Sequence, residues 1–387
     1  MSSETPSSGI ANRLVRTPFA VLSSLTYQVL LMALIIGGAY AFAPPSRFVA
    51  YLNHMVMMWD TRHFLTIARE GYAASGPQAP LIVYFPLYPF LISLLTPAFG
   101  DLRAALLITA ASSMVGHILL FHYLRLIGFD PSRSLRVVAL VFATPVSIYF
   151  AAAYTEGLFF LLTMAFVVLL RREAWLPAAL CGFLAALTRN MGGLFVIPYL
   201  AACWSVGPAS TRWRRASLAG LIASGTLVYF GINYAVQGDP FAFSRHMADT
   251  WYKALLNPFA MYRAEFMGLV TGQFRPEPYY ALLYLDRIGT LLFPLLFVDH
   301  LLSLRRTHDL RPPLPPGFFL WAVAQYLVVC SQSFWASNLR YLGLILPGYL
   351  LLERALEPRV AFRLWLVLSI GLGLWVAYAY TRMLWVL

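Results

Sequence analysis

Charge is scarce in this chain. Only 11% of its 387 residues are Asp, Glu, Lys or Arg, against about 25% in a soluble globular domain, which argues against an ordinary water-soluble enzyme. Cysteine is nearly absent as well. Cys181, Cys203 and Cys330 sit inside or beside apolar segments with no paired spacing; this excludes a disulfide framework or a cysteine metal cluster and leaves them as packing residues. Acidic residues number 16 against 28 basic ones, for a formal net charge of +12. That excess does not gather on one patch, so no nucleic-acid partner is expected. The basic residues fall in short clusters between apolar runs, the pattern of topological anchors. No Asp-x-Asp pair or histidine cluster with ligand spacing occurs in the segments expected to face outward. Accordingly, no metal and no other cofactor is expected.

What the chain has instead is apolar length. It is 60% hydrophobic and 16% aromatic, with a mean hydropathy of +0.69. Apolar runs of roughly 20 residues recur, the length needed to cross about 30 Å of hydrocarbon. The pattern predicts an all-α polytopic membrane protein with about eleven spans. They fall at 20–43, 103–127, 136–153, 157–170, 175–187, 191–206, 216–236, 283–303, 317–332, 342–356 and 361–380. Several are short for a bilayer, which suits helices that are tilted or broken around a cavity. Residues 1–16 read as a polar cytoplasmic tail, and the run that follows is too long for a signal-peptide core.

With the N-terminus placed in the cytoplasm, the short inner segments hold 16 arginines, while the short outer connections and the C-terminus hold Arg189, Arg340 and Arg382. The asymmetry supports that orientation. It leaves two long outer loops, 44–102 and 237–282, within a single integral domain spanning 1–387. In the first loop, Asp60, His63, Phe64 and Ile67 share one helical face and Arg62 and Arg69 another, so residues 60–70 should form a helix lying at the interface. Pro86 and Pro89 should end regular structure in YFPLYP. Interleaved aromatic and basic residues fill the second loop, where His246 and Lys253 are candidate acceptor or headgroup contacts.

Chemistry-bearing residues gather on the expected outer side. Asp60 opens WDTRHFLTIAREGY; Glu156 sits in AYTEGLFFLL; Arg189 and Asn190 sit in ALTRNMGGL; Arg340 and Tyr341 sit in NLRYLGLILP. Taken in order with YFPLYP, these motifs resemble the GPI mannosyltransferase II (PIG-V) family, within the class C (GT-C) glycosyltransferases. The resemblance runs from residue 59 to about 350. It implies a polytopic fold whose long extracytoplasmic first loop carries interfacial helices and the catalytic aspartate. It also implies a polyprenyl-phosphate sugar donor, with mannose as the sugar. No feature implies a GPI acceptor, and the short chain looks like a prokaryotic relative with a different hydroxyl acceptor, on a glycolipid, glycan or protein. A bacterial cell membrane is then the expected location, or the endoplasmic reticulum membrane in a eukaryote.

Elementary chemistry agrees with that resemblance. Expelling a lipid phosphate needs no protonating acid, so one base suffices, whereas glycoside hydrolysis needs two carboxylates. An ordinary Asp is ionised at neutral pH and can accept a proton from the incoming hydroxyl; Asp60 is the expected base. Arg340, then Arg189, are the expected phosphate contacts. His63, Glu156, Tyr341, Asn190 and Trp59 complete the expected substrate-binding set.

Plainer roles compete with each of these. Asp60 could cap the helix beginning at Thr61, and His63 could simply pack against aromatics. Glu156 could be a turn residue, and Arg189 and Arg340 could be interfacial anchors. Trp59, Tyr84, Tyr88 and Tyr341 fit an aromatic belt as well as a sugar platform. From other classes, a lipid transporter or flippase would call for inverted repeats and charges at mid-membrane depth, neither of which is evident, and a non-catalytic membrane subunit remains a third reading.

Overall fold

A computed structural model of the chain describes Ala33, Met57 and residues 59–206, 209–271, 281–305 and 314–381. The expected tail lies outside the described residues, as does the first span apart from Ala33. So do Arg13, Arg16, Arg306, Arg311 and Arg382, which helped to orient the chain. Among the described residues there is one isolated antiparallel bridge, Leu255 to Gln332, and no β-strand. The fold is helical, as the hydropathy pattern predicts.

The first long loop folds into helix α1 (Asp60–Glu70), a 3-10 turn (Ala79–Val83) and α2 (Leu87–Phe99). Then follow α3 (Asp101–Leu126), α4 (Pro131–Phe142), α5 (Glu156–Arg171), α6 (Trp175–Ala186), α7 (Val196–Ser205) and α8 (Ala219–Gln237). The second long loop holds α9 (Ala242–Trp251) and α10 (Pro258–Val270). The remainder comprises α11 (Ala281–Leu292), α12 (Pro294–Ser303), α13 (Pro316–Cys330), α14 (Asn338–Leu342), α15 (Leu346–Ala355) and α16 (Arg359–Thr381). By length and composition three described helices could each cross a membrane: Asp101–Leu126, Ala209–Gln237 and Arg359–Tyr380. The apolar helices Leu87–Phe99, Trp175–Ala186 and Pro316–Cys330 are shorter.

Several expected spans are interrupted, and the sequence explains where. The run 136–153 is not one helix: α4 stops at Phe142, a 3-10 turn covers Ser147–Phe150, and α5 begins at Glu156. Pro145 lacks the N–H that would continue the ladder and disfavours helix at Thr144. The carbonyls freed by this break find side-chain donors, as irregular backbone in an apolar surrounding requires. Ser113 Oγ donates to Phe150 O at 2.6 Å, Thr109 Oγ1 to Tyr154 O at 3.0 Å, and Thr61 Oγ1 to Ala153 O at 3.3 Å. Pro294 likewise divides 283–303 into α11 and α12, and 191–206 opens as a 3-10 turn (Asn190–Phe195) before α7. In the tenth expected span the chain breaks between α14 and α15, with Pro347 in the first turn of α15. Pro89 departs from expectation. It lies inside the first turn of α2, where a missing N–H leaves no intrahelical bond unmade, so it does not end the helix.

Close helix approach depends on small residues. α5 lies against α3 at Gly157, where a methyl group would meet Ser113 Oγ at 2.6 Å and Thr109 O at 2.7 Å, the small-residue packing that apolar helices favour. Gly192 rests on the peptide between Ala185 and Ala186, and a side chain would land on that backbone. Gly192→Ala should therefore destabilise by about 1–3 kcal/mol, the usual range for overpacking. A thermal melt of the purified protein checks this, and an unchanged midpoint would contradict the contact. Cys203 and Cys330 are buried and Cys181 half-buried, all as free thiols, in keeping with their reading as packing residues.

The two long loops are tied to neighbouring helices and segments. Tyr229 of α8 donates to Ile82 O at 2.7 Å, and Gln237 Nε2 donates to Ala73 O and Ala79 O at 3.0 and 2.9 Å. His246 lies 3.0 Å from Gln237 Oε1. Beyond Trp251 the chain turns through Tyr252 (φ 56°) and runs beside the segment that leads to α14. There Leu256 N donates to Ser331 O at 2.6 Å and Ser333 N to Ala254 O at 2.8 Å. Both loops are thereby held over the break that precedes α14.

Candidate active site

The amphipathic pattern of residues 60–70 produces α1 over those very residues, burying Thr61, Phe64, Leu65 and Ile67. Arg62 and Arg69 are exposed, and Arg69 pairs with Asp101. Asp60 is the first residue of the helix, but its carboxylate does not cap it: no side-chain cap bond exists at this end. Instead Oδ1 accepts from the Tyr84 hydroxyl at 2.9 Å and Oδ2 from Arg340 Nη1 at 3.1 Å. The tertiary partners, not the local backbone, hold this carboxylate.

Arg340 enters from α14, 280 residues away in sequence. Its guanidinium bridges two carboxylates, reaching Asp60 with Nη1 and Glu156 Oε1 with Nε and Nη2 at 2.9 and 2.7 Å. It stacks over the rings of Tyr149 and Tyr154 at 4.3 and 4.8 Å, a favourable placement for a planar cation. Arg189 reaches the same Glu156 oxygen with Nη1 at 3.0 Å, donates to Thr155 Oγ1 at 2.7 Å, and lies over Tyr341 at 4.6 Å. The chain Asp60–Arg340–Glu156–Arg189 alternates in sign across residues from α1, α5, α14 and the turn after α6. Burying four such charges is tolerable only because each has an opposite partner.

The residues preceding the two helices that carry Asp60 and Arg340 share a backbone feature. Trp59 has φ 55° and Ser337 φ 66°, uncommon for side chains other than glycine. Asp286 of α11 secures the second of these turns, its carboxylate accepting from Asn338 N at 3.1 Å and Leu339 N at 2.6 Å. Nothing in the sequence around Asp286 marks that role, because the contact spans more than 50 residues. Glu265 and Arg287 form a further buried pair at 2.6 Å.

A cavity of about 610 Å³ opens onto this cluster. Trp59, Asp60, His63, Arg189, Asn190, Arg340 and Tyr341 all line it. Glu156 does not reach its wall. At 2% exposure it stands behind both arginines and ties them together rather than facing a ligand. Tyr84 belongs to the wall, packed against His63 and Trp251 with ring centroids 5.3 and 5.9 Å away. Tyr88 does not; it is fully buried, its hydroxyl 3.0 Å from Ala105 O and 2.8 Å from Thr109 Oγ1, so the belt reading fails there. Lys253 lines the cavity, whereas His246 lines a separate pocket of about 390 Å³ beside Gln237 and Arg245.

The electrostatics follow from these contacts. Burial pushes the Asp60 carboxyl up, but the charge of Arg340 and the bonds from Tyr84 and Arg340 outweigh it, leaving the group below its ordinary value. Burial holds His63 below its usual value against the pull of Asp60, so its ring is neutral at pH 7. Burial and the adjacent Asp60 push the Tyr84 phenol well up, keeping it a donor. The site therefore presents one ionised carboxylate, each oxygen held by one donor, at the wall of an aromatic-lined cavity flanked by cations.

Such a site, on a helical scaffold with membrane-length apolar helices, defines a helical membrane protein that places a carboxylate beside a cluster of cations. Residues 28–205 match the family model for Mannosyltransferase (PIG-V), in agreement with the resemblance seen in the motifs of that stretch. GPI alpha-1,6-mannosyltransferase 2 from Homo sapiens is 32% identical over 182 residues, covering 42% of this chain and 36% of that one. The Rattus norvegicus protein of the same name is 30% identical over 234 residues, covering 55% and 46%. The matches thus span less than half the length of these curated relatives. Among solved structures, ArnT from Cupriavidus metallidurans, crystallised with undecaprenyl phosphate, is 15% identical with a TM-score of 0.49, covering 81% of this chain and 61% of that one. The NLRYLGLILP motif carrying Arg340 lies beyond the stretch matched by the family model.

Proposed function

We propose that this chain is an integral membrane glycosyltransferase that moves a sugar, mannose by its family likeness, from a polyprenyl-phosphate donor to a hydroxyl of a glycolipid, glycan or protein. One domain spans 1–387 with about eleven membrane crossings, a count that rests on the apolar runs. The site faces the extracytoplasmic side of the cell membrane, an orientation supported by the arginine asymmetry. The observation that carries this reading is the Asp60 carboxylate, ionised and held by Tyr84 and Arg340, at the edge of the aromatic-walled cavity.

Transfer proceeds by an in-line inverting displacement. The acceptor oxygen forms a bond to the anomeric carbon, the bond from that carbon to the phosphate oxygen breaks, and the hydroxyl proton passes to Asp60. Each Asp60 oxygen has one hydrogen-bond donor and keeps a lone pair for the incoming hydroxyl. Trp59, Tyr84 and Tyr341 provide ring faces for the sugar, and the aliphatic helix walls take the prenyl tail. The leaving lipid phosphate gains negative charge among the cations of the cavity.

The test is direct. Purified protein given radiolabelled polyprenyl-phosphate mannose should pass label to an acceptor, and failure with every donor and acceptor pair would overturn the proposal. A second expectation concerns pH. Because Arg340 and Tyr84 hold Asp60 below its ordinary value, lowering the pH should leave the base ionised down into the ordinary carboxylate range. The kcat/KM profile should then show no acid limb from this group near neutrality. An acid limb near neutrality that disappears in Asp60→Asn would contradict the lowered value, since it would show the same carboxyl titrating above its ordinary range.

A further inference from the structure

One cation at the cavity wall, Lys253, stands outside the ion-pair cluster. Asp60 pairs with Arg340, and Glu156 pairs with both Arg340 and Arg189. Using either guanidinium for a ligand phosphate means sharing or loosening a buried ion pair, and breaking such a pair is costly. Arg62 also lines the cavity, but it is exposed and its charge is screened by water.

Lys253 is placed differently. Its ammonium donates to Ala336 O at 2.6 Å and lies 5.8 Å from the centre of the Tyr341 ring. No described carboxylate lies within ion-pair distance of it, and an ammonium has three donors, leaving two beyond the Ala336 bond. Arg189 approaches the same ring, at 4.6 Å from its centre. Lys253 is also held in place: the pairing of Ala254 and Leu256 with Ser333 and Ser331 anchors its backbone beside the turn that launches α14. Ser333 Oγ reinforces that pairing by donating to Tyr252 O at 2.8 Å and accepting from Ala254 N at 2.9 Å.

We infer that Lys253, rather than Arg340 or Arg189, is the principal cation for the phosphate of a lipid monophosphate bound in this cavity. The inference rests on the glycosyltransferase reading and revises the roles expected for the two arginines: they position the base and shape the wall, and the lysine meets the anion. Such a site does not require an internal ion pair to open when the lipid arrives. An ammonium with no described carboxylate at ion-pair distance gains its counter-charge from the donor.

The experiment measures binding to the full chain in nanodiscs, with a C55 polyprenyl monophosphate, the C55 alcohol and inorganic phosphate as probes. The unsubstituted protein should bind the monophosphate about 10–100-fold more tightly than the alcohol, the scale of a charge-assisted contact. Lys253→Met should erase that preference without weakening alcohol binding, and Lys253→Arg should retain it. Lys253→Gln serves as the neutral variant if the Met protein does not give a wild-type melt. If the unsubstituted protein makes no distinction between monophosphate and alcohol, the lipid-phosphate reading of the whole site fails. A preference that survives in both neutral variants overturns the lysine assignment and leaves that reading intact. Inorganic phosphate binding as tightly as the lipid would overturn the lipid as the source of the anion.

Discussion

Asp60→Asn should reduce sugar transfer by about 10²–10⁴-fold, the usual contribution of a positioned general base, while leaving the protein folded. The fold should survive because asparagine can still accept the Tyr84 hydrogen bond and because Arg340 keeps Glu156, two of its three polar contacts in the site. Label transfer from polyprenyl-phosphate mannose, measured beside a thermal melt, separates these effects. Transfer within about tenfold of the unsubstituted rate would remove Asp60 as the base. Lost transfer with a collapsed melt would instead assign the residue to the scaffold. Asp60→Glu is a useful companion, since it keeps the charge and displaces the oxygens by one methylene.

Glu156→Gln should have the largest effect on stability, about 3–5 kcal/mol, the range for removing one member of a buried ionic cluster. Glu156 is 2% exposed, and one of its oxygens meets both guanidiniums, Arg189 at 3.0 Å and Arg340 at 2.7 Å. Without that carboxylate, Asp60 is left to offset two buried cations, and Arg340 loses the contacts that aim it at Asp60. Activity should fall with stability for this reason, even though Glu156 does not line the cavity. Pairing Glu156→Gln with Arg189→Gln should recover part of the melting midpoint by removing the excess cation; a fully additive double variant would show that the two residues are not coupled. A single Glu156→Gln variant that melts like the unsubstituted protein would refute the clamp.

How legible this molecule was depends on the distance over which each feature is decided. Helix α1 was readable because its apolar spacing is local: Phe64 and Ile67 are buried and Arg62 and Arg69 exposed, as a period of 3.6 requires. Pro145 and Pro294 were equally visible, yet the runs around them were read as continuous. Hydropathy averages over a proline, whereas the backbone must still find donors for the carbonyls it frees, and Ser113 and Thr109 supply them from another helix. Glu156 was read as a ligand contact and Tyr84 and Tyr88 as possible belt residues, because sequence alone does not say which side of a cavity wall a side chain occupies.

The amino-acid sequence by itself determined that the chain is helical, apolar along much of its length and supplied with a few chemical residues between its spans. Those properties follow from composition and short-range periodicity, where each residue's contribution is set by its neighbours along the chain. Tertiary structure alone decided which charges meet. Asp60 and Arg340, 280 residues apart, share a hydrogen bond, and Asp286 secures the turn that brings Arg340 there. Coulomb attraction and desolvation act through space, so the partners that restrain Asp60 and the placement of Lys253 outside the ion-pair cluster emerged only once the chain was folded.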